Sequence, residues 1–344
     1  MPAGKLGKAI GLQGAAQAIG LAMGPSVGGL LIGLGGWRWV FFVNIPAGVI
    51  GLLLGWFLLP RTHVKAPRAR LDWLGLVVLM PAVGALLLAL SEASRLGFGN
   101  LIVLGLLAAS LILFVLFVLR ERRARHPLVD LSLFRSGTFS RGVATGLLGY
   151  LVLFGVLFVT PLHLESEYFL PPTQAGLLLT VLPVALGLVA PVAGLLADRF
   201  GARLPASAGM GLAAAALVVL VFSSHDLWVT AAALAAMGLG LGLFTPANNA
   251  SVAAAGHDHQ AGMVSGVLNM TRGVGTSLGV ALGAVAYTLA NALGNSAGAA
   301  AVSGLGFRMA VALFAVLGAV AAVLSFLGRR ARPKAVPGKS PEPA

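Results

Sequence analysis

The chain has 344 residues, 58% of them hydrophobic and only 10% charged, with a mean hydropathy of +0.96. That balance excludes a soluble globular domain, which needs far more charge to cover its surface. The lack of any cysteine excludes a disulfide framework, a thiolate nucleophile and a thiolate metal site.

The apolar residues fall in blocks of about twenty or more, the length a helix needs to cross a hydrocarbon core. The sequence therefore predicts an all-α polytopic membrane protein with ten spans. In chain order they run over 9–33, 39–59, 72–91, 100–119, 142–164, 174–196, 204–222, 228–252, 262–290 and 305–328. The opening "MPAGKLGKAIGLQGAAQAIGLAMG" is not a signal peptide, because its apolar run continues through Leu34 without a clear small-residue cleavage site. The tail over 329–344, "RRARPKAVPGKSPEPA", is basic and then proline-rich, a composition that predicts disorder.

The net charge of +13 is explained by where the basic residues sit. Lys5 and Lys8 precede the first span, and Arg61, Lys65, Arg68 and Arg70 follow the second. Arg120, Arg122, Arg123, Arg125, Arg135 and Arg141 follow the fourth. Arg199 and Arg203 follow the sixth, and Arg329, Arg330, Arg332, Lys334 and Lys339 fill the tail. All of these lie on one side of the membrane, and only Arg38, Arg95 and Arg308 lie on the other. The positive-inside rule then puts both termini in the cytoplasm. The basic balance is a topology signal with the lipid bilayer as its electrostatic partner, and no nucleic-acid partner is expected. An arginine-rich, alanine- and glycine-rich composition points to a GC-rich bacterial genome.

In the first span, "GLAMGPSVGG" places Gly20, Gly24 and Gly28 four residues apart, with Gly29 beside them, so that a neighbouring backbone can come close. Pro25 removes a hydrogen bond and bends the helix there. Gln13 and Gln17, one turn apart on the same span, fit either a substrate path or a bond between helices. The four-residue glycine spacing recurs at Gly275, Gly279 and Gly283 in the ninth span, and together the two look like an internal repeat. Between spans six and seven, "GLLADRFGARL" sets Gly194, Asp198, Arg199, Gly201 and Arg203 at a tight reversal. There Asp198 can pair with a facing arginine or with free helix amides.

All ten carboxylates fall at span ends, in loops or in the tail, so the spans hold no intramembrane acid. Arg272 is the exception to a charge-free interior, about 15 Å along its helix at 1.5 Å per residue. A central arginine costs about 2.5–3.5 kcal/mol on insertion scales. It is expected to line the central cavity, with Asn248 and Asn269 as candidate neighbours, unless it snorkels toward the cytoplasm. His163 and Glu165 close span five at the outer rim. "HDH" at His257 to His259 lacks further ligands in reach, so no metal is expected. "HPLVDLSLF", from His126 to Phe134, reads as a segment on the cytoplasmic membrane surface. No Gly-Lys-Ser/Thr phosphate loop appears, which leaves ATP-driven transport without support. An enzyme is not expected either.

These stretches together resemble the major facilitator superfamily. "GLAMGPSVGG" is similar to the antiporter motif on the fifth helix of its exporters, and "WRWVFFVNIPAG", from Trp37, to the segment that follows in the fourteen-span drug:proton antiporters. "GLLADRFGAR" resembles the second copy of the superfamily's cytoplasmic loop signature. The stretch from Gly242 to Gly283 is similar to part of that subfamily's last three spans. The resemblance implies that four helices are missing before residue 1. Residues 1–60 would then be a two-helix remnant of the amino-terminal bundle and 61–120 the inserted helix pair. Residues 121–141 would be a cytoplasmic loop and 142–328 a six-helix carboxyl-terminal bundle. At His163 and Glu165 the sequence departs from the subfamily, which usually has tyrosine and glutamine there.

The expected function is proton-coupled efflux of small amphipathic or drug-like compounds by alternating access in a bacterial plasma membrane. The proton gradient replaces any cofactor. The alternative is a truncated, transport-incompetent fragment, or one part of a split transporter whose partner is a separately encoded amino-terminal part. The family's proton-carrying acids lie on the early helices, which is what keeps that alternative open.

Overall fold

The computed structural model describes residues 38–58, 72–124, 127–222, 226–256, 260–296 and 304–328, with single positions between 16 and 36. Over these residues the chain is all-α. The helices are α1 (Arg38–Phe42), α2 (Asn44–Leu58), α3 (Trp73–Leu96), α4 (Leu101–Glu121), α5 (Gly137–Glu167) and α6 (Pro172–Phe200). They continue with α7 (Arg203–Phe222), α8 (Leu227–Ala255), α9 (Ala261–Ser296) and α10 (Leu305–Phe326), and a 3-10 turn, Leu131–Arg135, precedes α5. Nine stretches among the described residues are long and apolar enough to cross a membrane, α1 and α2 counting as one. The predicted first span, 9–33, lies mostly outside the described residues, as do the 61–70 loop, His257 to His259 and the tail.

The helices outrun the apolar blocks that announce them. The fifth predicted span, 142–164, becomes Gly137–Glu167, and the ninth, 262–290, becomes Ala261–Ser296. Apolar composition marks where lipid ends, whereas the backbone ladder continues until a cap or turn stops it. The starts of α3, α4 and α8 are capped by Asp72, Asn100 and Asp226, each accepting from a backbone N–H two or three residues on. The break between α1 and α2 at Val43 has a local cause. Pro46 has no N–H to give to Phe42, four residues back.

α5 to α10 pack around one core in which Leu164, Leu182, Met210, Leu217, Met237, Phe307 and Phe314 are wholly buried. Lipid offers no hydrophobic drive for helix association, so close backbone approach has to hold these helices together. Glycine supplies it. A Cβ on Gly275 would stand 2.7 Å from the Leu147 carbonyl oxygen, and one on Gly279 would strike the Leu151 carbonyl and stand 2.9 Å from the Gly155 nitrogen. The α9 stripe is thus seated on the α5 backbone. At its end, Gly283 and Gly155 open a notch that the Phe314 ring of α10 fills. α8 approaches α7 in the same way, where Gly240 meets Gly209 and Ala213.

α3 and α4 pack on each other, tied by the Ser110 hydroxyl donating to the Ala82 carbonyl at 2.9 Å, and α3 also touches α9. α2 has no buried residue, and Leu52, Trp56, Phe57 and Leu58 are all more than 70% exposed. The segment expected on the membrane surface also packs on protein over its described part. Leu133 is buried with Phe139, Val252, Val264 and Val267 at the ends of α5, α8 and α9. Its apolar residues have a protein surface to cover, which periodicity alone does not reveal.

Substituting Gly279→Leu forces the α5 and α9 backbones apart and is expected to cost at least 1–3 kcal/mol, the usual range for overpacking. Gly105→Leu, where no atom stands within 4 Å of a new Cβ, is expected to stay within about 0.5 kcal/mol of the parent. Thermal unfolding of the purified protein in detergent separates the two.

Candidate functional site

α9 has two differently built faces. One is the glycine stripe on α5. The other borders it and carries Ser265, Asn269, Arg272 and Thr276, three or four residues apart, with Arg272 one turn before Gly275. Ser265 and Asn269 are exposed, and Arg272 and Thr276 are half-buried. Gly262, Gly266 and Gly273 beside them have no atom within 4 Å of a Cβ position. The Asn269 amide donates only to the Ser265 carbonyl of its own helix, at 3.1 Å. Arg272 has neither an ion pair nor a hydrogen bond among the described residues. This face is polar, open and charged. Hydrocarbon is a poor solvent for it, and a water-filled path or a polar partner is a good one.

Asn248 takes a different place. It is 5% exposed, between α8 and α5. Its amide donates to the Gly142 carbonyl at 2.9 Å, and the Thr145 hydroxyl donates to its oxygen at 3.0 Å. Gly146 leaves the room this needs, since a Cβ there would stand 3.0 Å from Asn248 Nδ2. The side chain clamps two helices and does not share the α9 face with Asn269 and Arg272. A buried asparagine with both ends bonded is a packing element.

The α6–α7 reversal is formed by Gly201 at φ +84°, a region that disfavours a side chain, with its N–H donating to the Ala197 carbonyl at 3.0 Å. Gly194 is buried, whereas Asp198 and Arg199 are exposed at the end of α6. Arg203 lays its guanidinium 4.4 Å from the centre of the Phe326 ring on α10. Arg141, at the start of α5, donates to the Leu327 carbonyl at 3.0 Å. Two arginines thus meet the carboxyl end of α10, where free carbonyls and the helix dipole favour cations. Arg141 entered the sequence reading only as one of many loop charges.

Of the first-span motif, Gly20, Gly24 and Gly28 are helical, and no atom stands within 4 Å of a Cβ built on any of them. Pro25, Gly29, Gln13 and Gln17 lie outside the described residues. Every described carboxylate stands at or near a helix end or in a loop. At one rim, the buried His163 ring stacks on Phe307 at 4.0 Å and meets Tyr168 edge-on, while Glu165 is exposed. Burial first, and the Asp226 carboxylate after it, push the Tyr168 phenol above its usual range, so it stays a neutral donor.

Residues 1–280 and 142–344 match the Major Facilitator Superfamily, and the chain belongs to it. Its relatives carry transport names. It is 33% identical to the multidrug resistance protein Stp of Mycobacterium tuberculosis, over 79% of this chain and 50% of that protein. It is 35% identical to the riboflavin transporter RibZ of Clostridioides difficile, over 74% of this chain and 55% of that one. With the tetracenomycin C resistance and export protein of Streptomyces glaucescens it shares 33% identity, over 80% and 52%. The chain spans about half the length of these curated relatives.

Replacing Asn248 by alanine removes both bonds between α8 and α5, leaving the Thr145 hydroxyl only its own-helix acceptors, the Arg141 carbonyl at 2.8 Å and the Gly142 carbonyl at 3.2 Å. The expected cost is about 1–3 kcal/mol, read as a lower unfolding temperature in detergent. Asn269→Ala, on the open face, is expected to leave that temperature unchanged.

Proposed function

We propose that the chain forms part of a proton-coupled carrier of the bacterial plasma membrane that exports small amphipathic or drug-like compounds by alternating access. The observation that carries this reading is the polar face of α9, with Arg272 at its centre, on a chain whose other exposed helix surface is largely apolar. The relatives' names support small organic compounds as the class transported. The α6–α7 reversal, through Gly194, Asp198, Arg199, Gly201 and Arg203, serves as a latch between conformations. The Gly20, Gly24, Pro25, Gly28 and Gly29 segment serves as a contact along which helices slide. The proton gradient is the energy source, and both termini face the cytoplasm.

A second reading has its own support. No atom of the described residues stands within 4 Å of a Cβ built on Gly20, Gly24 or Gly28, and no described carboxylate lies mid-helix where a transported proton would be held. On this reading the chain acts only with a separately made amino-terminal part, or does not transport.

Proteoliposomes with an imposed pH gradient distinguish the readings. The carrier reading predicts dye extrusion that stops on adding a protonophore. It also predicts that Arg272→Gln and Asp198→Asn each slow extrusion by about tenfold or more, a barrier increase of about 1.4 kcal/mol. Absence of gradient-driven flux from the well-folded chain, restored by a co-expressed amino-terminal half of a relative, favours the split transporter.

A further inference from the structure

Away from the α9 face, one group of charged side chains is buried without balancing itself. Asp72 caps α3 and Glu121 ends α4, side by side. Glu121 is 4% exposed and the Asp72 side chain 7%. Each carboxylate has one engaged oxygen. Asp72 Oδ1 accepts from the Gly75 N–H and from Arg120 Nη2, both at 3.1 Å, and Glu121 Oε2 accepts from the Val129 N–H at 3.3 Å. The second oxygens, Asp72 Oδ2 and Glu121 Oε1, are buried without a donor among the described residues.

Both orphan oxygens turn to the same place. A Cβ on Gly75 would stand 2.9 Å from Glu121 Oε1, 3.0 Å from Asp72 Oδ2 and 3.1 Å from Leu128 Cδ1. The missing side chain of Gly75 thus leaves a notch with a carboxylate oxygen on each side and a leucine as its lid. The charged groups that act on Glu121 are Asp72 from α3 and Arg120 from its own helix. From α9, the side chains that reach the adjoining loop are Gln260 and Met263, which are uncharged and bonded to Asp130. Asp130 also accepts from the Ser132 N–H through its other oxygen. Among the described residues, two buried carboxylates stand against one half-buried guanidinium.

A second buried carboxylate charge is costly, and two acceptor oxygens facing one gap cannot bond to each other. One positive charge between them removes both costs. We propose that the notch over Gly75 binds a single monovalent positive charge between Asp72 Oδ2 and Glu121 Oε1, either a proton carried on the Glu121 carboxyl or a Na⁺ ion. A divalent ion would overcompensate a site that already holds Arg120. Occupancy joins the start of α3, the end of α4 and the loop at Leu128 and Val129. Asp130, next in sequence, bonds Gln260 and Met263 at the start of α9. The site is therefore connected to the helix that carries Arg272. Only this connection to transport rests on the proposed carrier function. The binding claim stands without it.

Infrared difference spectra of the full chain in liposomes test the claim without a transport assay. For the proton, a carboxylic-acid C=O band is expected in Na⁺-free buffer near neutral pH. It should fade as the pH is raised and be absent from Glu121→Gln but present in Glu92→Gln. For Na⁺, that band is absent, and NaCl but not choline chloride shifts the carboxylate bands of the parent and not of Glu121→Gln. Gly75→Ala keeps both carboxylates and fills the notch, so it should abolish whichever response the parent gives, with the helix content by circular dichroism kept. Neither response in the parent, or a response that survives both Glu121→Gln and Gly75→Ala, overturns the site. A chain that binds the charge but moves no dye leaves the site intact and sinks the carrier.

Discussion

The structure depends on close contact between the α5 and α9 backbones. In a bilayer, apolar side chains gain little by leaving lipid for protein, so helices stay together through dense packing and short-range dispersion. Gly275, Gly279 and Gly283 let α9 sit against the carbonyls of α5. That seating fixes how α9 is rotated. With its glycine face held, the stripe bearing Ser265, Asn269, Arg272 and Thr276 runs along the edge of that contact, with Ser265 and Asn269 exposed and Arg272 and Thr276 half-buried. The polar face is thus a consequence of the packing, and the Phe314 ring, filling the notch between Gly155 and Gly283, adds α10 to the same arrangement.

Electrostatics divides the chain in a complementary way. The described charges gather at helix ends, where they cap, pair or meet helix dipoles, as at Asp72, Asp226, Arg141 and Arg203. Among the described residues, only Arg272 stands without an ion pair or hydrogen bond well inside a long apolar helix. A guanidinium keeps its charge at any physiological pH, so it cannot escape the low dielectric by releasing a proton. It needs water, a substrate or a partner, and the open face of α9 gives it room for any of these.

Much of the fold was legible because hydrophobic block length answers directly to bilayer thickness. The all-α polytopic class, the positions of the described spans and the glycine stripe of α9 all follow from local composition and spacing. What escaped depends on contacts between distant segments. Asn248 reads as a polar residue in a span, and only the meeting of α8 with Gly142 and Thr145 makes it a clamp. Asp72 and Glu121 read as two unrelated span ends 49 positions apart, and only the α3–α4 hairpin brings them to one notch. Leu133 and its neighbours showed an apolar surface, and the sequence could not say whether lipid or protein covers it.

The central claim is that α9 carries a wetted polar stripe along the edge of a dry glycine contact. The lack of cysteine allows single cysteines to be introduced along 262–283 in liposomes and labelled with a charged, membrane-impermeant thiol reagent. The account predicts rapid labelling at 265 and 269, measurable labelling at 272 and 276, and protection at 275 and 279. Uniform protection across the four polar positions, or labelling at 275 and 279 as fast as at 269, would contradict it.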